Sequence, residues 1–187
     1  MTNGNLRFRA ATPDDAPQLQ ELVQSAFRAE DSRQGWTADM ALSSRFRIEV
    51  AEVMVTITNP DSAILMATDD NDNLVASIGI SKRGADRARF SMLAVDKSHQ
   101  RGGIGRQVLA YAEDYCQQVW GVTKLGLNAL STRQELILWY IRRGYQETGE
   151  STPFPREKFN GLALPNDMCF VEFEKILSPS SVAEGAA

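Results

Sequence analysis

The chain has 187 residues, a mass of 20.7 kDa and a formal net charge of −4 at pH 7. Its 43% hydrophobic and 24% charged residues are ordinary for one globular domain, which excludes a disordered or collagen-like chain. The acidic balance argues against a nucleic-acid binder, because no basic excess exists to displace counterions. Two cysteines and one histidine exclude a disulfide scaffold and predict no metal site.

The N-terminal third predicts one strand followed by helices. Alternating apolar and polar residues over 6–10 indicate the strand, and Thr12-Pro13-Asp14-Asp15 is typical of a helix start. Thr37 is placed to cap a short second helix, and a third is predicted from about Arg45 to Thr58. The apolar stripe of the first helix consists of Leu19, Leu22, Val23 and Phe27.

The rest of the chain predicts three strands in succession and then alternating elements. An α+β sheet of mixed direction follows from this order. Since no linker or repeat divides the chain, we expect one domain over residues 1–177 and a flexible tail over 178–187. The predicted strands cover 63–67, 74–81, 89–95, 124–129, 145–150 and 168–176, and the helices cover 103–119 and 132–143.

No apolar run approaches the ~20 residues that a membrane-spanning helix needs. The N-terminus also lacks the apolar core of a secretory signal. We therefore expect a cytoplasmic protein that contacts neither membrane nor nucleic acid.

The most informative segment is Gln100-Arg101-Gly102-Gly103-Ile104-Gly105-Arg106, which joins a predicted strand to a helix. Glycines let the backbone approach a ligand, and free N–H groups at a helix start attract anions such as phosphate. The alternative is a glycine-rich turn with solvated charges. A P-loop needs Lys-Ser/Thr after its last glycine, and a dinucleotide fingerprint needs a small residue where Val108 stands.

This segment resembles motif A of the GNAT superfamily of acyl-CoA-dependent N-acyltransferases, Gln/Arg-x-x-Gly-x-Gly/Ala, through Gln100, Gly103 and Gly105. The preceding Met92-Leu-Ala-Val-Asp, the Asn128 strand end and Tyr140…Gly144-Tyr145 extend the resemblance from residue 6 to about 177. It implies a mixed, mostly antiparallel central sheet of about six to seven strands with flanking helices, in which the fourth and fifth strands splay apart.

The resemblance also implies that acetyl-CoA binds in that gap, without a metal. The loop amides would hold the pyrophosphate, and a β-bulge near Leu93 would expose an amide to the thioester carbonyl. Asn128 would contact the pantetheine or the loop, or else simply end its strand. The implied cofactor-binding residues are Leu93, Ala94, Val95, Gln100, Arg101, Gly102, Gly103, Ile104, Gly105, Arg106 and Asn128.

Tyr140 matches the family's general acid, which protonates the departing CoA thiolate; the alternative is core packing on an apolar helix. The general base is missing, because the position where many relatives carry glutamate falls at or near Arg89. The proton of the amine must then be removed through a water chain or by one of the acids Glu30, Asp31 and Glu150. The alternative for each of these acids is a solvated surface charge.

The acceptor side of the chain contains Gly35-Trp36-Thr37, which is similar to a subset of GNAT proteins. Trp36 can form the floor of an acceptor pocket or bind a cation against its ring face. The alternative is that it packs at the start of the second helix and holds that helix on the sheet. The expected substrate-binding residues are Glu30, Asp31, Trp36 and Glu150.

The resemblance thus predicts transfer of an acetyl group from acetyl-CoA to the primary amine of a small molecule, by direct attack in a ternary complex. Two alternatives are open: acetylation of a protein or peptide amine, and a non-catalytic acyl-CoA-binding or sensing domain. A homodimer is possible, and the acidic remainder of the surface favours a cationic amine.

Overall fold

The structure is a computed structural model that describes residues 5–29, 33, 35–36 and 40–179. Seven strands and five α-helices occur within this part of the chain. The strands are β1 (Arg7–Ala10), β2 (Ser62–Thr68), β3 (Leu74–Lys82), β4 (Arg87–Val95), β5 (Lys124–Leu130), β6 (Gln146–Pro153) and β7 (Cys169–Ile176). The helices are α1 (Ala16–Arg28), α2 (Met40–Ser44), α3 (Val50–Thr58), α4 (Ile104–Trp120) and α5 (Gln134–Arg142).

The strands form one sheet in the order β1-β2-β3-β4-β5-β7-β6. Every neighbouring pair is antiparallel except β4 and β5, which are parallel. The expected mixed, mostly antiparallel sheet of an α+β fold is therefore confirmed. β7 lies between β5 and β6, so that β6 forms the edge of the sheet.

Helices cover both faces of the sheet, and β2 shows how the sequence achieves this. Ile64 and Met66 pack into a cluster with α1 and α3, whereas Leu65 and Ala67 pack into a second cluster with α4. Successive side chains of a strand point to opposite faces, so an unbroken apolar run is buried on both. The predicted stripe of α1 is likewise buried at Leu19, Leu22 and Val23.

The third helix begins later than the sequence predicts, at Val50 instead of about residue 45. Glu49 is extended, and its amide donates to Glu52 Oε2 at 2.7 Å, which sets the start of the helix. The preceding segment is held against α1, because Arg28 Nε donates to Phe46 O at 2.6 Å and the Phe27 and Phe46 rings stack at 4.6 Å. Thr37, the predicted cap of the second helix, lies outside the described residues.

β4 and β5 pair only at their beginnings, where Arg87, Ala88 and Arg89 face Lys124, Leu125 and Gly126. Both strands continue beyond these rungs, so they separate into a fork. The predicted splay of the fourth and fifth strands is confirmed. The fork opens toward the glycine-containing segment 100–106, called the glycine loop below. Among the described helices, none has the length and apolar character needed to cross a membrane.

Candidate active site

A β-bulge interrupts β4 at the mouth of the fork. Ser77 pairs with Ala94 and Gly79 pairs with Ser91, so Met92 and Leu93 together face one residue of β3. Met92 accordingly adopts a positive φ of 49°. The bulge lies where the resemblance implied it, and it leaves a residue of β4 unpaired with the ladder.

The turn after β4 is organised by Asp96. Its carboxylate accepts hydrogen bonds from the Ser98 amide at 3.0 Å, from the Ser98 hydroxyl and from His99 Nδ1 at 3.2 Å. These bonds, led by the one from the Ser98 side chain, lower the pKa of Asp96 although burial opposes them. Gln100 Nε2 donates to Val95 O at 3.4 Å, which folds the loop back onto the end of the strand.

Gly103 begins α4 in the left-handed region, with φ 71° and ψ 14°. Only glycine adopts this conformation without strain, so the residue is required for the turn. The first amides of α4 have no partner within the helix, and the positive end of the helix dipole lies at the same place.

A cavity of about 1030 Å³ lies at the fork, between the bulge, the loop and α5. Three of the expected cofactor residues do not line it. Gly102 is exposed and its amide donates to His99 O, Ile104 packs into the core, and Asn128 bonds elsewhere. The expected residues that do line the cavity are Leu93, Ala94, Val95, Gln100, Arg101, Gly103, Gly105 and Arg106.

The cavity is positively charged on the side of the loop. Arg143, at the end of α5, faces it together with Arg101 and Arg106. Burial lowers the pKa of Arg143, and the charges of Arg106 and Arg142 lower it further. The Nε of Arg143 is buried without a hydrogen-bond partner among the described residues, although its guanidinium lies 4.9 Å from the Trp139 ring. A buried cationic donor of this kind is stabilised by an anion.

Tyr140 is not among the residues that line the cavity, whereas its neighbours Leu136 and Trp139 are. Only 7% of Tyr140 is exposed, and its ring packs against those of Tyr145 and Phe173. Burial raises the pKa of Tyr140 to about 12, and the charge of Arg133 opposes this effect. The hydroxyl has no described hydrogen-bond partner and is not one of the fully buried unpaired atoms, so it retains contact with solvent. Its catalytic role stays a prediction.

The Gly35-Trp36 turn is attached to the start of α5. The Glu135 amide donates to Gly35 O at 3.1 Å, and Arg133 Nε donates to Trp36 O at 2.6 Å. A Cβ on Gly35, whose φ is 81°, would stand 2.8 Å from Glu135 Cγ, so this approach requires glycine. Trp36 lines the cavity, and Arg33 lies 4.2 Å from its ring. These contacts hold the turn against the start of α5.

Arg89 lies at the fork, at or near the position where the resemblance led us to look for a glutamate as general base. Instead of an acid, this position contains an arginine that forms an ion pair. Arg89 Nη1 and Nη2 donate to Glu172 on β7 at 3.0 and 3.3 Å, across Gly126 of β5. The Asn128 amide donates to the same carboxylate at 3.2 Å, which explains why it does not face the cavity. Burial raises the pKa of Glu172, but the bonds from Arg89 and Asn128 outweigh it, and the pKa lies below its ordinary value.

Of the three acids named from the sequence, Glu150 is the one that lies within the described residues. Glu150 lies on the exposed edge strand β6, its amide donates to Thr148 Oγ1, and it does not line the cavity. Its expected role in substrate binding stays a prediction. Glu30 and Asp31 lie outside the described residues. Within the residues that the structure describes, no cluster of three possible metal ligands occurs.

The site residues expected from the sequence do not include the aromatic walls of the cavity. One wall contains Phe27 and Phe46, and the other contains Phe154, Phe159 and Phe170. The Phe154 ring lies 5.1 Å from Phe159 and 5.8 Å from Phe170. The spacing of the phenylalanines in the loop before the last strand was the available signal, but nothing in it shows which side of the loop faces the sheet.

Comparison with known proteins identifies this arrangement. A sequence profile of the acetyltransferase (GNAT) family matches residues 17–145. A search of curated protein sequences found no significant match.

Solved structures provide the second comparison, and at their low identities they show the fold alone. The ribosomal-protein-S18-alanine N-acetyltransferase of Escherichia coli has 17% identity and a TM-score of 0.68, covering 98% of this chain and 99% of its own. A GNAT family acetyltransferase from Elizabethkingia anophelis with acetyl-CoA bound has 12% identity and a TM-score of 0.66, covering 92% and 99%. A spermidine/spermine N-acetyltransferase from Vibrio cholerae has 15% identity and a TM-score of 0.64, covering 91% and 92%.

Proposed function

The chain belongs to the acetyltransferase (GNAT) family and is an N-acetyltransferase, and on this basis we propose that it acetylates the primary amine of a small molecule with acetyl-CoA, by direct attack in a ternary complex. The observation that carries the proposal is the convergence of three features on one cavity. These are the bulged end of β4, the glycine start of α4 and an unpaired buried arginine donor.

The residues at the loop fit the phosphates of acetyl-CoA. The first amides of α4 are free of intrahelical partners, and Arg101 and Arg106 have no hydrogen-bond or ion-pair partner among the described residues. Arg143 Nε is a further donor in need of an anion. A Cβ on Gly105 would lie in van der Waals contact with Val95 and Trp139 at 3.7 Å, so the glycine adds no side chain to this part of the cavity.

Acetyl-CoA supplies an activated acyl group, and the chain's part is to polarise its carbonyl and to handle protons. A free amide at the Met92–Leu93 bulge would stabilise the negative charge that develops on the carbonyl oxygen. Tyr140, with a pKa of about 12, stays protonated at every physiological pH and can donate to a thiolate whose pKa is about 8.5.

The acceptor end of the cavity supports a small molecule over a peptide. Leu42 of α2 packs with Phe154 and Met168, which joins α2 to the segment before β7. Arg45 Nη1 also donates to Asn160 O at 3.2 Å across the same junction. A peptide bound in extended form needs a groove that continues past this point.

The test is release of CoA thiol from acetyl-CoA with a panel of small amines and of peptides with free amines, followed by mass spectrometry of the products. We expect acetylated small amines and little turnover of peptides. Acetyl-CoA binding in calorimetry without turnover of any amine in the panel would contradict the proposed reaction with small amines, and preferential acetylation of peptides would overturn the small-molecule assignment.

A further inference from the structure

The lining of the cavity carries far more positive charge than the sequence as a whole suggests. Seven of the described lining residues are arginines, and none of the described lining residues is Asp or Glu. The full chain, in contrast, has a net charge of −4. The positive charge is therefore concentrated where the substrates must bind.

Three of these arginines belong to the loop side of the cavity and suit the phosphates of the acetyl donor. Arg101 and Arg106 flank the start of α4, and the charge of Arg106 lowers the pKa of Arg143. All three arginines line the same cavity. A polyanionic nucleotide satisfies a cluster of this kind.

Two others lie in the segment between α2 and α3. Arg45 and Arg47 flank Phe46, whose ring stacks on Phe27 of α1. Arg45 donates to Asn160 O, a neutral carbonyl, and forms no ion pair with another described residue. Arg47 lines the cavity and has no hydrogen bond or ion pair with another described residue.

The surroundings of these two arginines are apolar and aromatic. Phe27 and Phe46 stack on one side, and Phe154 and Phe159 pack at 5.1 Å on the other. A cationic polyamine in this place would meet arginines and no described carboxylate. A molecule with an apolar body and an anionic group would match both kinds of surface, because guanidinium pairs with carboxylate or phosphate through two parallel hydrogen bonds.

We propose that the acceptor is a primary amine that also carries an anionic group, carboxylate or phosphate, on an apolar body, and that Arg47 with Arg45 binds that group. This inference rests on the proposed function and specifies its substrate class. It reverses the expectation of a cationic amine, which the acidic composition had favoured. The composition describes the whole surface, whereas the acceptor senses only the charges in the cavity.

The test compares amines that differ only in the anionic group. Phenethylamine is paired with phenylalanine, and tyramine is paired with tyramine phosphate, so that the two pairs separate carboxylate from phosphate; spermidine serves as the cationic probe. We expect the anionic member of at least one pair to have a kcat/KM roughly tenfold higher than its neutral partner. A preference for the neutral amines or for spermidine overturns the inference.

Variants of Arg47 test whether this residue causes the preference for the anionic amine. Arg47→Gln should lower kcat/KM for the anionic amine to that of its neutral partner, and Arg47→Lys should restore part of the preference. Arg83→Gln, which removes an exposed arginine that does not line the cavity, is the matched control and should leave the preference unchanged. An undiminished preference in Arg47→Gln removes Arg47 from the site.

Calorimetry of the same amine pairs in the presence of CoA separates this inference from the proposed function. Tighter binding of the anionic member without any thiol release supports the anionic site and contradicts the acetyl transfer. Thiol release with a preference for the neutral member supports the transfer and contradicts the anionic site.

Discussion

Gly103 supports the start of α4 through its backbone alone, since a Cβ there would meet nothing within 4 Å. Its φ of 71° is what a larger residue cannot adopt without strain. We expect Gly103→Val to weaken acetyl-CoA binding by at least tenfold, because the first amides of α4 would turn away from the phosphate position. Isothermal titration calorimetry with acetyl-CoA measures the change.

Gly84 offers a control for this variant with the same strain in another place. It has a φ of 83°, also with nothing within 4 Å of a Cβ, and it lies in the turn between β3 and β4. Gly84→Val should lower the melting temperature to a similar extent and leave acetyl-CoA binding intact. If both variants bind acetyl-CoA as the unmodified chain does, the loop is not the phosphate site.

Tyr140→Phe removes one hydroxyl and keeps the ring that packs against Tyr145 and Phe173. We expect kcat to fall roughly 10²-fold while acetyl-CoA binding and stability change little, because the hydroxyl would act only when the thiolate leaves. Since the pKa of Tyr140 is about 12, its protonated form is lost only as the pH rises through that value, and the unmodified enzyme should show no alkaline decline from Tyr140 below about pH 10. An unchanged kcat would assign Tyr140 to the core alone.

At the scale of the elements, the fork depends on an ion pair that joins β4 to β7 across β5. The side chains of Arg89 and Glu172 are only 30% and 17% exposed, so removing one partner leaves a partly buried charge. Glu172→Gln should lower the free energy of unfolding by about 1–3 kcal/mol. Urea denaturation of Arg89→Met, Glu172→Gln and the double variant yields the coupling energy.

The same two strands contain a matched exposed pair. Arg87 and Glu174 are 3.6 Å apart and 52% and 34% exposed. Their coupling energy should be below about 1 kcal/mol, since water screens exposed ion pairs. Equal coupling in both pairs would mean that the fork gains nothing from the Arg89–Glu172 bond.

For the molecule as a whole, acid stability depends on Asp15. Its buried carboxylate accepts hydrogen bonds from Arg9 at 2.6 and 2.8 Å and from the Thr12 amide at 2.8 Å, and it joins β1 to the start of α1. The Arg9 bonds hold the pKa of Asp15 well below its usual range, although burial opposes them. The contribution of Asp15 is therefore complete above its unfolded pKa near 4 and is lost as the pH falls below it.

Unfolding of the intact chain should thus become progressively easier between roughly pH 5 and pH 2. Asp15→Asn should be less stable at pH 7 and show a shallower dependence over this range. The neighbouring Asp14 is exposed, and Asp14→Asn should behave as the unmodified chain does. The measurement is the urea midpoint of the unmodified chain, Asp15→Asn and Asp14→Asn at several pH values over this range. The same loss of stability in all three proteins would contradict the role of Asp15.

Local patterns in the sequence determined most of the elements and part of the site. Strand alternation, the Thr12-Pro13 helix start and the glycine loop each depend on neighbouring residues, so their positions can be inferred without a fold. The exception is the start of α3, which Glu49 and Glu52 set through a side-chain bond while contacts with α1 hold the preceding segment extended.

What the tertiary structure alone decided is which distant residues face one another. The Arg89–Glu172 pair joins residues 83 positions apart, and Arg133 reaches Trp36 over 97. The arginines and phenylalanines of the cavity come from parts of the chain as far apart as Phe27 and Phe170, so no local pattern marks them as one surface. Net charge is a sum over the chain and carries no positions, and for that reason an acidic sequence folds into a cavity lined by arginines.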